Sequence, residues 1–130
     1  MFSTTWRTSE RKYRVITERD VFIPMSDGIK IACDIFRPDA REAFPAILSE
    51  SNYGKALQSA PIMPAPMDLK NASAEAGDPY FYARRGYVHI IADVRGSGNS
   101  GGEYCNYSVQ EQKDTYDIIE WGNCNTYEDY

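Results

Sequence analysis

Apolar and polar residues alternate at the start of the chain. From Tyr13 to Ile23, Val15, Thr17, Val21 and Ile23 fall on one face, and Glu18 and Asp20 on the other. A period of two predicts a half-buried strand. Met25-Ser26-Asp27-Gly28 follows. Asp-Gly between alternating runs predicts a tight hairpin of type I′, whose two central positions need positive φ. The returning run sets Ile29, Ile31, Cys33 and Ile35 on one face with Lys30 and Asp34 opposite, and ends at Arg37-Pro38-Asp39. Residues 1–12 are polar and aperiodic, an extended lead-in.

The pattern then changes. Phe44-Pro45-Ala46-Ile47-Leu48 and Tyr87-Val88-His89-Ile90-Ile91-Ala92 are short runs without alternation. Strands apolar on both faces belong in parallel sheets covered by helices. Before the second run, Asp78 suits an N-cap, Pro79 the first helical position and Gly86 the residue just past the end. Strand, helix and strand make a βαβ unit. Ser108-Val109-Gln110-Glu111 reads as a capping box opening a helix to about Trp121, with Val109, Gln112, Tyr116, Ile119 and Trp121 as its apolar face. The proline-rich stretch Gly54 to Gly77 is a connection of a length that is usually functional or mobile. The predicted order is β-β-β-α-β-α, an α/β fold. A sheet of this kind that stops on a helix is unfinished, because the helix should lead into another parallel strand.

Composition narrows the function. The 130 residues carry 14 Lys+Arg against 19 Asp+Glu, a net charge of −5, so no surface is set up to neutralise a phosphate backbone and no nucleic-acid partner is expected. The longest apolar runs are too short to span a membrane, and no apolar leader follows Met1. Three widely spaced cysteines, Cys33, Cys105 and Cys124, suit reduced thiols in a cytoplasmic setting and offer no zinc spacing. The single histidine, His89, lies inside a buried-strand pattern, short of the strand's carboxyl end where α/β enzymes keep their chemistry. It reads as structural.

Gly96-Ser97-Gly98-Asn99-Ser100-Gly101 matches the dinucleotide fingerprint literally. The following helix begins only at Ser108, no acidic strand end follows at the ribose distance, and the preceding strand is fourth rather than first. The alternative is a tight loop tied down by Asp93 and Arg95, and no cofactor is expected. Asp114 and Asp117 share a helix face but lack a histidine, so they read as a solvated face rather than metal ligands. Asn52-Tyr53-Gly54-Lys55 follows the third strand directly, at the sheet edge where active sites form. A phenol there can donate to a developing oxyanion.

Several of these stretches occur in one order. Asp20 to Gly28, Ile31 to Pro38, Phe44 to Leu48 with Tyr53-Gly54-Lys55, Asp78 to Phe81 with Ala83 to Tyr87, Asp93 to Gly102, and Asp117 to Trp121 together resemble the amino-terminal part of the cocaine esterase / X-Pro dipeptidyl-peptidase (CocE/NonD, S15-like) family. The resemblance implies an incomplete α/β-hydrolase sheet over residues 13–130. It also implies a serine peptidase or esterase acting on acyl bonds of a peptide or small-molecule substrate. It assigns Tyr53 as the oxyanion-hole hydroxyl. The family's nucleophile turn, acid and histidine follow later, so the chain is expected to stop before the nucleophile strand and to be inactive alone. Two other readings stand beside this one. The first is a non-catalytic binding or interaction module, able to self-associate through an open sheet edge. The second, a dinucleotide-binding domain, is the less favoured.

Overall fold

The structure, a computed structural model, describes residues 7–58 and 76–125. Strands β1 (Val15–Pro24), β2 (Lys30–Pro38), β3 (Ala46–Ser51) and β4 (Val88–Asp93) form one sheet in the order β1-β2-β4-β3. β1 and β4 flank β2 in antiparallel pairing, and β3 runs parallel to β4. Helices α1 (Lys55–Gln58), α2 (Pro79–Ala83) and α3 (Val109–Asn125) complete the described chain. α1 was not anticipated: it occupies the first turn of the Gly54 to Gly77 connection, and residues 59–75 of that connection lie outside the described residues.

The opening hairpin forms, with two differences. Ile23 pairs with Ile31 and Val21 with Cys33, but Thr17 pairs with Phe36 and Val15 with Pro38. One extra residue between Glu18 and Val21 shifts the register, and Asp20 there has φ +49. An added residue in a two-residue period exchanges the faces. Val21 and Ile23 therefore join Ile31, Cys33 and Ile35, whereas Val15 packs with Phe36 on the other side. They do not share one face as the simple alternation predicts. The turn also departs from type I′. Gly28 has φ +88 but Asp27 does not have positive φ. Gly28 N–H donates to the Met25 carbonyl at 2.9 Å and Met25 N–H to the Ile29 carbonyl at 2.8 Å. This is a three-residue loop closed by one left-handed glycine, the next commonest hairpin solution.

β4 is buried along its whole length, as its unbroken apolar run predicts. β3 is only half-buried because it is one of the two outer strands among the described residues. One face of the sheet, built on Ile23, Ile31, Cys33, Ile35, Val88 and Ile90, is covered by Ile118 and Trp121 of α3. The other, with Phe36 and Ile91, is covered by Ala76 and by Ala83 of α2. α2 keeps its predicted caps. Asp78 accepts from Tyr80 N–H at 2.9 Å, Pro79 opens the helix, and Gly86 at φ +89 lets Tyr87 N–H reach back to the Tyr82 carbonyl at 3.2 Å.

α3 begins where predicted, and Ser108 Oγ accepts from Glu111 N–H at 3.1 Å. The return half of the capping box is not made: Glu111 Oε2 is buried without a described partner. Its buried stripe also differs. Asp114, Ile118 and Gly122 face the sheet, while Val109, Tyr116 and Ile119 are exposed. Tertiary pairing overrides the apolar pattern, because Arg95 forks onto Asp114 at 2.6 and 2.7 Å and draws that carboxylate inward.

His89 is structural. It is fully buried in mid-strand, its Nε2 lies 3.0 Å from Ser49 Oγ, and its ring packs edge-on against Tyr82 at 5.4 Å. Its Nδ1 has no described partner that could orient it as a base. Burial pushes its pKa down to about 4, against a smaller opposing pull from Asp78. Cys33, on the opposite face, is pushed up to about 12 by burial and the neighbouring carboxylates, so its thiol stays neutral.

The His89 shift has a definite sign. The unfolded imidazole titrates near 6.5 and the folded one near 4. The unfolded state therefore binds more protons in between, and the stability associated with keeping His89 neutral is complete above about pH 6.5 and is lost towards pH 4. The gap corresponds to about 3 kcal/mol. Proton NMR of this sole histidine should show no titration above about pH 5; a midpoint near 6.5 in the folded chain would contradict the burial argument.

Candidate active site at the carboxyl end of the sheet

Two loops meet where β3 and β4 end. β3 leads into the turn Asn52-Tyr53-Gly54 and then α1, and β4 leads into the glycine-rich segment 94–102. Gly54 takes φ +97, and its carbonyl accepts Leu57 and Gln58 N–H at 3.0 and 3.2 Å, which starts α1. Tyr53 is 40% exposed at this edge. Next to it, Asn52 Nδ2 donates to the Tyr104 hydroxyl at 2.5 Å, so the chain just beyond the second loop braces the first. Tyr53 thus stands in the turn directly after the third strand, as the sequence indicates.

Asp93, 2% exposed, ties both loops to the sheet. Its Oδ1 accepts Lys55 N–H at 2.6 Å and its Oδ2 accepts Asn99 N–H at 3.1 Å. Its carbonyl accepts the Ser100 hydroxyl at 2.6 Å, and Ser100 Oγ in turn accepts Ala32 N–H from β2 at 2.8 Å. Gly98 lies so close that an added Cβ would sit 2.2 Å from Asp93 Oδ2, and Gly96 so close that its Cβ would meet the Tyr104 backbone nitrogen at 2.1 Å. The glycines let the loop fold onto the carboxylate. The backbone N–H groups of Gly96, Ser97, Asn99, Ser100 and Gly101 all donate within the protein. A pyrophosphate would find those five engaged. The loop is the structural clasp that Asp93 and Arg95 were expected to make, and Arg95 extends it to Asp27 at 2.8 Å and to Asp114.

One cluster escaped the sequence reading. Lys55, 8% exposed, sets its Nζ 2.7 Å from Asp20, 3.7 Å from Asp34 and 3.7 Å from Asp93. Asp34, which alternation sets on the face opposite Ile31, Cys33 and Ile35, is buried. It accepts Arg19 Nη1 at 2.5 Å and the Asp20 N–H at 3.0 Å. Burial alone would lower the Lys55 pKa, but the hydrogen bond to Asp20 and the charges of Asp34, Asp93 and Asp20 hold it above its ordinary value. The hydrogen bond from Lys55, followed by that from Asn99, holds Asp20 below the usual carboxylate range. The only sequence hint was a lysine directly after Tyr53-Gly54 and a lone carboxylate in a strand whose neighbours are apolar.

The other candidates are accounted for. Asp114 is held by Arg95, and Asp117 accepts Ser26 N–H at 2.8 Å. Among the described residues no three His, Cys, Asp or Glu side chains are grouped to hold a metal, and no helix is long and apolar enough to cross a membrane. Ser97 and Ser100 both donate their hydroxyls to main-chain carbonyls.

Two substitutions probe this arrangement. Lys55→Met should destabilise by about 3–5 kcal/mol, because it leaves Asp93 buried without its cation and Asp34 with Arg19 alone. Gly98→Ala should cost about 2–4 kcal/mol from backbone strain and the clash with Asp93. Urea unfolding measures both, and a loss below about 1 kcal/mol in either would contradict the geometry described.

Comparison with known proteins places this arrangement. The profile of the X-Pro dipeptidyl-peptidase (S15 family) matches residues 27–128. The cocaine esterase of Rhodococcus sp. is 30% identical over 102 residues, covering 78% of this chain and 16% of that protein. A CocE/NonD family hydrolase from Staphylococcus aureus superposes with a TM-score of 0.71 at 31% identity, over 88% of this chain and 22% of the other. An α-amino acid ester hydrolase shares the fold, with a TM-score of 0.64 at 24% identity over 95% of this chain and 21% of the other. The chain spans less than a fifth of the length of the curated relatives it matches. Its four strands and flanking helices are the amino-terminal part of an α/β-hydrolase sheet, and the chain belongs to the X-Pro dipeptidyl-peptidase (S15) family.

Proposed function

We propose that this chain supplies one side of the active site of a serine hydrolase that cleaves ester or peptide acyl bonds. In this reading the hydroxyl of Tyr53 is an oxyanion-hole donor. The observation that carries it is the placement of Tyr53 on the β3–α1 turn, at the carboxyl end of the sheet, with that turn held by Lys55 N–H on Asp93. Part of the oxyanion hole of an α/β-hydrolase comes from the loop after the third strand. As the scissile carbonyl becomes tetrahedral, charge collects on its oxygen, and a fixed phenol donor there stabilises the transition state more than the ground state.

The nucleophile, the acid and the base are assigned to sequence outside these 130 residues. His89 is buried, with a pKa about 4, and cannot serve as a base for a substrate at the sheet edge. Among the described residues β3 is paired on one side only, which supports the addition of a further strand there. The free thiols of Cys33 and Cys105 support a reducing, cytoplasm-like compartment.

A fluorophosphonate probe tests the assignment. The 130 residues alone should remain unlabelled, while the continuous polypeptide that carries the nucleophile should be labelled at a serine outside them. Serine-specific labelling within the 130 residues sinks the reading. In the labelled polypeptide, Tyr53→Phe should lower kcat on p-nitrophenyl acetate by about 10²–10³ with KM nearly unchanged. An unchanged kcat removes Tyr53 from the oxyanion.

A further inference from the structure

Tyr53 precedes a glycine that does little to hold it. Gly54 has φ +97, and nothing lies within 4 Å of the place a Cβ would occupy. A left-handed glycine without a side chain adds no packing of its own at that point of the turn. Asn52 is braced by Tyr104 on one side, and on the other the next residue adds a charged restraint. Lys55 is clamped at two points: its N–H on Asp93 at 2.6 Å and its Nζ on Asp20 at 2.7 Å.

Asp20 comes from the far side of the sheet. β1 is separated from β3 by β2 and β4, yet Asp20 reaches Lys55 because it sits at the β-bulge with φ +49. The same carboxylate oxygen accepts Asn99 Nδ2 at 3.0 Å, and the Asp20 N–H donates to Asp34 at 3.0 Å. One bulge therefore meets the Tyr53 turn, the glycine-rich loop and the buried carboxylate of β2. The Asp20 side chain is 47% exposed. An ion pair open to water on one side contributes little to global stability, which leaves geometry as what the bulge supplies.

We propose that Asp20 and Lys55 are positioning residues: the β1 bulge carboxylate and the buried ammonium together fix the turn that presents the Tyr53 hydroxyl. Bulges commonly occur next to active sites, where they re-aim side chains. The proposal rests on the oxyanion reading of Tyr53 for its catalytic meaning, but the clamp itself can be judged without any activity.

Amide hydrogen exchange on the 130-residue chain tests the clamp. Asp20→Gly keeps the left-handed backbone available and removes the carboxylate. It should accelerate exchange at the Lys55 and Asn99 amides by about tenfold or more, while the Ile35 and Ile90 amides in the sheet centre keep their rates. Asp20→Asn, which retains an acceptor, should recover part of the protection. Asp39→Asn, which loosens the exposed pair with Arg14 at the other end of the strand, should leave Lys55 unchanged. The proposal is overturned if Asp20→Gly leaves the Lys55 amide unaffected or speeds all four amides equally. Should Asp20→Gly not fold, Asp20→Asn decides alone, with the same two outcomes. In the active polypeptide, Asp20→Gly should lower kcat on p-nitrophenyl acetate about tenfold with KM held within about twofold. If Tyr53→Phe is silent there, the oxyanion reading fails while the exchange rates still decide the clamp. If Tyr53→Phe is costly and Asp20→Gly is not, the positioning role fails by itself.

Discussion

A carboxylate at the end of a buried strand has few stable arrangements, and Asp93 occupies one that organises everything near it. Leaving such a group unpaired out of water costs several kcal/mol. Both of its oxygens are therefore met by backbone N–H groups, one from the turn after β3 and one from the glycine-rich loop after β4. These two loops have no sequence relation to each other. They converge because each satisfies half of the same buried charge. The glycines at 96 and 98 follow from this, since any side chain there would overlap the backbone or the carboxylate that the loop encloses. The glycine spacing that imitates a nucleotide fingerprint is the spacing needed to wrap a chain around Asp93.

The bulge at Asp20 acts at a larger scale. A strict alternation through β1 would keep Val15 and Val21 on one side of the sheet. The extra residue divides them between the two hydrophobic clusters, so β1 contributes apolar surface to both layers. It also frees one residue from the ladder to reach across the sheet. A single departure from regularity thereby serves packing in two layers and the geometry of the carboxyl-end loops.

What was legible in the sequence follows the range of the forces involved. The Asp78-Pro79 start and Gly86 end of α2 are local, set by backbone hydrogen bonds a few residues apart, and they formed as read. The hairpin was legible as a hairpin, but its turn type was not, because three loop residues with Gly28 alone left-handed close it as well as two would. The position of Tyr53 was legible because strand ends and glycine turns are local signals. Lys55 was not, because its partners Asp20, Asp34 and Asp93 lie on three separate strands. For the same reason the inward face of α3 was misjudged. Hydrophobic spacing favoured Val109, Tyr116 and Ile119, while Arg95, distant in sequence, drew Asp114 inward. Asp34 was legible only as lying opposite Ile31, Cys33 and Ile35, because alternation does not show what a buried cation can neutralise.

A cluster of one buried lysine among three aspartates is a poor way to stabilise a fold. The desolvation of such groups consumes most of what their attraction returns, and apolar replacements often do as well. Hydrophobic contacts, however, tolerate sliding, whereas a charged hydrogen bond is directional and loses strength steeply when bent. On the proposed reading of Tyr53, sliding is what this edge of the sheet must avoid, because an oxyanion donor's effect depends on meeting an oxygen at about 2.7–3.1 Å. On that reading the ionic cluster exchanges stability for angular precision at the turn that carries Tyr53.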